Sequence, residues 1–211
     1  MKKILVLAAC VLLALPFAGC ADESKTSSSS GSSKDSSSKV SMAGAHKVEK
    51  NPDGIEHTAD GQFETDTFDC SLYSFTFDSS LWLAIENPNV DCQLMFKDET
   101  TKGSFNMISV TDDQFKGINV SEYAAAIKEP YADSEEADFI VDEETTLCGL
   151  KAYMITVNEP KDGVDTTTTQ IMAIKDNNLY IVTYYAVSDS YNEIKEYVEK
   201  IISTLKLKEG L

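Results

Sequence analysis

From Thr67 onward, hydrophobic and polar positions alternate in two rhythms. Tyr73, Phe75 and Phe77 are separated by Ser74 and Thr76, the period of two that marks a half-buried strand. Asp78-Ser79-Ser80 turns the chain into a second extended piece, Leu81 to Glu86, which Asn87-Pro88 breaks. Cys92 to Lys97 and Ser104 to Thr111 predict a strand pair joined by a polar loop holding Gly103. The rhythm then changes. Asn119, with Glu122 three residues on, has the form of a capping box and predicts a helix through Lys128, stopped by Pro130. Strands are expected again over Phe139 to Thr146, Leu150 to Val157, Thr167 to Lys175 and Leu179 to Val187. Their turns fall at Cys148-Gly149, Asp162-Gly163 and Asp176-Asn177-Asn178. A last helix closes the pattern. Ser190 and Glu193 fit a second capping box, and Tyr191, Ile194, Val198, Ile201 and Leu205 fall at helical spacing. Lys195, Glu196, Glu199 and Lys200 occupy its wet side.

The strand LYIVTYYAV bears most on architecture. Leu179, Ile181, Tyr185 and Val187 point one way; Tyr180, Val182, Tyr184 and Ala186 point the other. A sheet with one wet face would alternate apolar and polar residues, so this strand is expected to be central and covered on both sides. With hairpins dominating, the expected fold is α+β: an antiparallel β-sheet flanked by helices on both faces.

The start of the chain follows different rules. Met1-Lys2-Lys3 is positive and Ile4 to Leu15 is unbroken apolar sequence, short of the ~20 residues a helix needs to cross a bilayer. A charged start, a short apolar run and small residues before Cys20 predict a signal peptide over residues 1–19. Ala18-Gly19-Cys20 resembles a bacterial lipobox. The resemblance implies cleavage before Cys20 and a diacylglyceryl group on its sulfur, with palmitate-type chains holding the protein on the membrane. One acyl chain binds a membrane only at about 10⁴ M⁻¹, so two chains on one residue suit stable anchoring. Cys20 is therefore the expected lipid attachment site, and the protein is expected on the extracytoplasmic face of a bacterial cell membrane.

Residues 20–66 read as a tether. Ser24 to Lys39 is mostly serine and has too little apolar surface to offset its ordering entropy. As a flexible coil of ~45 residues it would reach ~35–40 Å. Residues 67–211 then make one globular domain.

Composition narrows the function. The chain carries 35 acidic residues against 18 basic ones, a net charge of −17. Nucleic acid is excluded as a partner on this balance, because phosphate binding draws on Lys and Arg. An anionic membrane surface would repel the domain, leaving the lipid as the expected contact. Cys70, Cys92 and Cys148 lie in the domain without CxxC spacing, and are read as free, small apolar residues.

The element order supports a second resemblance. A strand-rich start with Trp82, the helix SEYAAAIKE, the hairpin TTLCGLKAYMITV, the run TTTQIMAIKDNNLYIVTYYAV and an amphipathic last helix resemble the PsbP-like α/β/α sandwich over residues 68–207. The resemblance implies a fold and a habit of binding proteins; it carries over no binding residue.

Catalytic chemistry is hard to find. Both histidines, His46 and His57, lie in the expected tether, where neither can be oriented for acyl transfer. HExxH, G-x-S-x-G and G-x-G-x-x-G are absent, and no cofactor or metal is expected. The favoured reading is a non-catalytic binding or assembly module for a protein or small-molecule ligand outside the cytoplasm. The alternatives are an extracytoplasmic enzyme of the hydrolase type, built from Ser, Lys, Asp and Glu, or a weak calcium-binding surface. For calcium the candidates are Asp133, Glu135, Glu136 and Asp138, followed by Asp142-Glu143-Glu144; a solvated acidic loop is the plainer reading. The tyrosines at 153, 180, 184, 185, 191 and 197 are taken as core rather than as an aromatic groove. Thr166 to Thr169 is weighed as a polar face for strand addition by a partner, against an ordinary β-favouring stretch.

Overall fold

A computed structural model describes residues 61–87, 89–128, 138–161 and 163–208. Within them the chain builds two antiparallel sheets and two helices, an α+β fold. The large sheet holds β4 (Trp82–Ile85), β5 (Cys92–Phe96), β6 (Ser104–Thr111), β7 (Asp138–Leu147), β8 (Leu150–Lys161), β9 (Val164–Lys175) and β10 (Asn178–Val187). Its order is β4-β5-β6-β10-β9-β8-β7. After β6 the chain leaves the sheet through helix α1 (Val120–Lys128), re-enters at the far edge as β7, and meanders back until β10 closes on β6.

Turn chemistry sets this meander. Cys148 and Gly149 both take positive φ, 52° and 78°, the backbone of a two-residue turn whose twist matches the flanking strands. Gly149 adopts that conformation without strain; Cys148 is an unusual residue for it. Asp176, also at positive φ, turns β9 into β10, where Lys175 pairs with Asn178.

Alternation along β10 sorts its side chains into two cores. Tyr180, Val182, Tyr184 and Ala186 join Ile194, Val198 and Ile201 of helix α2 (Tyr191–Thr204). Leu179 and Ile181 join Val120, Tyr123, Ala124 and Ile127 of α1, with Met172 and Ile155. Asn119 caps α1 as expected, its side-chain oxygen accepting from the Ser121 N–H at 3.1 Å. The second expected cap is not made. Ser190 ends a 3₁₀ turn (Ser188–Ser190) with φ −100° and ψ −2°, so its hydroxyl makes no capping bond. A side-chain cap needs extended backbone at that position, which the 3₁₀ entry denies.

A smaller sheet, in the order β1-β2-β3-β11, contains the expected strand at Tyr73 to Phe77 but is otherwise absent from the sequence reading. It comprises β1 (Gln62–Glu64), β2 (Thr67–Asp69), β3 (Tyr73–Thr76) and β11 (Lys206–Leu207). The tether boundary at residue 66 is corrected here: Gln62–Glu64 is a paired strand, held by Phe63 against Phe68 at 5.0 Å and Phe77 at 5.9 Å. Phe68 stacks on Phe75 at 5.3 Å, and Phe75 meets Phe105 of β6 edge-on at 5.4 Å, which joins this sheet to the α2-side core. Thr204 ties the end of α2 to β3, accepting from the Thr76 N–H at 2.9 Å.

Candidate functional site

Cys20, the residue with an expected covalent role, lies outside the described residues, as do the signal segment, the serine run and both histidines. So do residues 133–137 of the acidic run. Its continuation, Asp138 and Asp142 to Glu144, falls on β7. Asp142 is engaged there. Lys128 at the end of α1 donates to both of its carboxylate oxygens at 2.6 Å, and this holds the carboxyl below its usual range. The same ammonium lies 5.3 Å from the centre of the Tyr153 ring. Among the described residues, no three His, Cys, Asp or Glu side chains come together as a metal site.

Thr166 to Thr169 are all buried on β9, between β8 and β10, so this stretch has no free edge to give a partner. Of the two readings weighed for it, strand addition falls and the ordinary β-favouring stretch stands. Its hydroxyls instead bond to the neighbouring strand β8 and to the entry of α2. Thr169 shares hydrogen bonds with Thr156 at 2.7 Å and with the Tyr191 hydroxyl at 2.6 Å, and Tyr191 donates to Tyr184 at 3.3 Å. Burial raises the Tyr184 pKa above the ordinary phenol range. This run of hydroxyls contains no base, so its work is to fix the entry of α2 onto the sheet. Tyr180, Tyr184 and Tyr185 are buried, and Tyr153, Tyr191 and Tyr197 are partly buried against the two cores. They are packing residues.

One buried group was not singled out by the sequence pattern. Asp91 accepts through one oxygen from the Ser109 N–H and hydroxyl, both at 2.6 Å, and from the Tyr73 hydroxyl at 3.1 Å. Burial, with the Asp91 charge beside it, pushes the Tyr73 phenol well above its ordinary pKa. The only sequence signal was a carboxylate between Val90 and Cys92. The arrangement pins the small sheet to the large one. Cys70 donates to the Tyr73 carbonyl at 3.3 Å, and burial pushes the Cys92 thiol up. Both are buried free thiols, whereas Cys148 is free but exposed at its turn. A thiol whose pKa is raised is a poor nucleophile, because the thiolate is the reactive form.

Two kinds of surface remain. A cleft of about 500 Å³ opens beside the small sheet, lined by Gln62, Glu64, Thr67, Asp69 and Lys208 among others. Lys208 already pairs with Asp69 at 2.8 Å and donates to the Cys70 carbonyl at 2.5 Å, so the cleft's cation is spent within its own wall. The other kind is apolar. Among the described residues the exposed large hydrophobic ones are Leu83, 52% exposed, and Ile140, 49% exposed. They sit on β4 and β7, the two outermost strands of the large sheet. Hydroxyl bundle, buried carboxylate and shallow cleft together describe a scaffold with sheet edges, and among the described residues no nucleophile and base converge in it.

That description fits the antiparallel α+β domain of the PsbP-like kind to which the element order pointed. No family model and no curated protein sequence matches the chain. Solved structures do match it. LpqN of Mycobacterium tuberculosis, a protein involved in cell envelope biogenesis, is similar with TM-score 0.50 at 13% identity, over 65% of this chain and 83% of that one. A protein from Bacteroides thetaiotaomicron gives TM-score 0.50 at 11% identity over 70% of this chain, which spans 50% of that protein's length. Cyanobacterial PsbP from Synechocystis gives TM-score 0.49 at 14% identity, over 64% of this chain and 86% of its own. At such identities the likeness is one of fold.

Proposed function

We propose that this chain is a lipid-anchored, non-catalytic binding or assembly module, held at the extracytoplasmic face of a bacterial membrane through Cys20. One observation carries the reading: the order of the first forty residues. Two lysines, a short apolar run, Ala18-Gly19-Cys20 and a serine-rich stretch follow one another as export, cleavage, acylation and spacing require. The fold is compatible with it. LpqN, similar in fold, is a protein of cell envelope biogenesis, which supports a role outside the cytoplasm and does not identify the partner.

The domain itself is read as an α/β/α sandwich. Support comes from β10, whose two sets of side chains pack with different helices. A sheet covered in this way leaves its edges and the outer side of the small sheet for recognition, which suits a module better than a pocket would.

The test is made in the native host. Cys20→Ser is expected to move the protein from the membrane fraction to a soluble one, and mass spectrometry of the wild-type amino-terminal peptide is expected to show a lipid on Cys20. A Cys20→Ser chain that stays with the membrane, or a wild-type peptide with an unmodified thiol, overturns the anchor.

A further inference from the structure

Antiparallel pairing satisfies a strand on both sides only when it has two neighbours; an edge strand leaves every second N–H and C=O facing outward. Among the described residues β7 pairs with β8 alone. Its ten residues make it the longer of the two edges, since β4 at the other end has four.

The two edges differ in charge as well as length. β4 reads WLAI and carries none, while β7 carries Asp138, Asp142, Glu143 and Glu144, all exposed. Asp142 and Glu144 stand on the face of β8's Ile155 and Tyr153; Glu143 stands on the opposite face, beside Met154. A strand laid along β7 therefore meets Glu144 on one face, beside an Asp142 already paired with Lys128, and Glu143 on the other. Opposite charges directly across a strand pair stabilise it, and like charges there destabilise it.

That sign selects the occupant. A second copy laid β7 to β7 would set acid against acid, and the chain's charge of −17 adds to the repulsion. Acidic side chains and a bulge, here between Phe139 and Val141, are common guards against self-association at an edge. They do not guard against a basic strand. Past the bulge, Val141 to Leu147 pairs regularly with β8 and offers an unbroken template. Ile140, half exposed at the bulge, gives such a strand one apolar contact at its end.

We infer that the free edge of β7 accepts an extended segment of another protein, rich in lysine or arginine at alternate positions, as an added strand. This rests on the reading of the chain as a binding module, and it moves strand addition from Thr166–Thr169, buried inside the sheet, to the one long edge the sheet has. Main-chain hydrogen bonds supply affinity and the flanking carboxylates supply selection.

The experiment uses the full chain, isotope-labelled and held in detergent micelles, with three synthetic probes. These are a short peptide alternating lysine and valine, the same peptide N-methylated at every residue so that neither edge can donate, and one alternating glutamate and valine. The lysine peptide is expected to bind, more weakly as salt rises, and to slow exchange at the outward amides of β7. N-methylation keeps the charge and removes the ladder, so it is expected to weaken binding by about tenfold or more, the ~1.4 kcal/mol of roughly one lost net hydrogen bond. Glu143→Lys with Glu144→Lys is expected to exchange the preference for the glutamate peptide. Equal binding of the N-methylated peptide overturns the inference, because acidity alone would then explain the contact. So does protection that maps to β4 or the small sheet, although that result leaves a binding module intact. The module's own anchor is tested separately by Cys20→Ser.

Discussion

Strands β10 and β7 are each ten residues long and belong to one sheet, yet their surroundings are opposite. All of β10 except Val187 is buried; on β7 only Leu147 is, with exposed and half-buried residues before it. β10 has neighbours on both sides and a hydrophobic cluster on both faces, so even Thr183 in its middle is buried and accepts a hydrogen bond from Gln170 at 3.3 Å. β7 has one neighbour and carries four acids. The lesson is that position in the sheet, more than propensity, decides what a strand can do. The centre spends its residues on packing, and only an edge keeps backbone and side chains for a partner.

The sharpest way to break this contrast is to place the same charge in both strands. Val182 on β10 is fully buried, so Val182→Asp is expected to cost about 4–5 kcal/mol or more, enough to unfold a domain of ordinary stability. Ile140→Asp on β7 is expected to cost less than about 1 kcal/mol. Thermal melts of the two variants check both figures, and equal losses would mean that β7 is as enclosed as β10.

A smaller effect comes from alkaline pH. Burial raises the Tyr123 phenol on α1 to about 12, and burial also raises Tyr73 and Tyr184. An unfolded tyrosine ionises near pH 10, so above that pH the unfolded chain binds fewer protons than the folded one. Stability from these groups is thus complete below about pH 10 and is lost as pH climbs through their folded values. Tyr123 alone amounts to roughly 2 kcal/mol by pH 12. Tyrosinate absorbance followed with pH should lag in the folded protein, and Tyr123→Phe should flatten part of the loss. Tyr153, beside β7, should lag too, because its hydrogen bond to Asp142 favours the protonated phenol.

Much of the large sheet was legible in the sequence, for a physical reason. Its strands are long, and β10 shows apolar residues on both faces, which only a covered central strand tolerates. Of the small sheet only β3 was legible, from the Tyr73-Phe75-Phe77 alternation; β1, β2 and β11 are two or three residues long, too short for a period to register. Phe63, the residue that fixes β1, stands alone between polar neighbours. Ser190 carried the right side chain for a cap and met the wrong backbone. The Thr166–Thr169 stretch left two readings open because threonine suits a strand whether its hydroxyl faces water or another hydroxyl. Asp91 was hidden for a related reason: its partners, Tyr73 and Ser109, are each 18 residues away along the chain. Strand membership could be read locally, but which strand forms the edge depends on how the hairpins close.

Residue-resolved amide exchange in the intact protein measures that closure directly. If β10 is the enclosed centre and β7 the open edge, every β10 amide exchanges at or near the rate of global unfolding, while alternate amides from Val141 to Leu147 exchange far faster than their neighbours. Uniform slow exchange along β7, matching that of β10, would mean that something already pairs with its outer side, and the separation of core from recognition edge would fail with it.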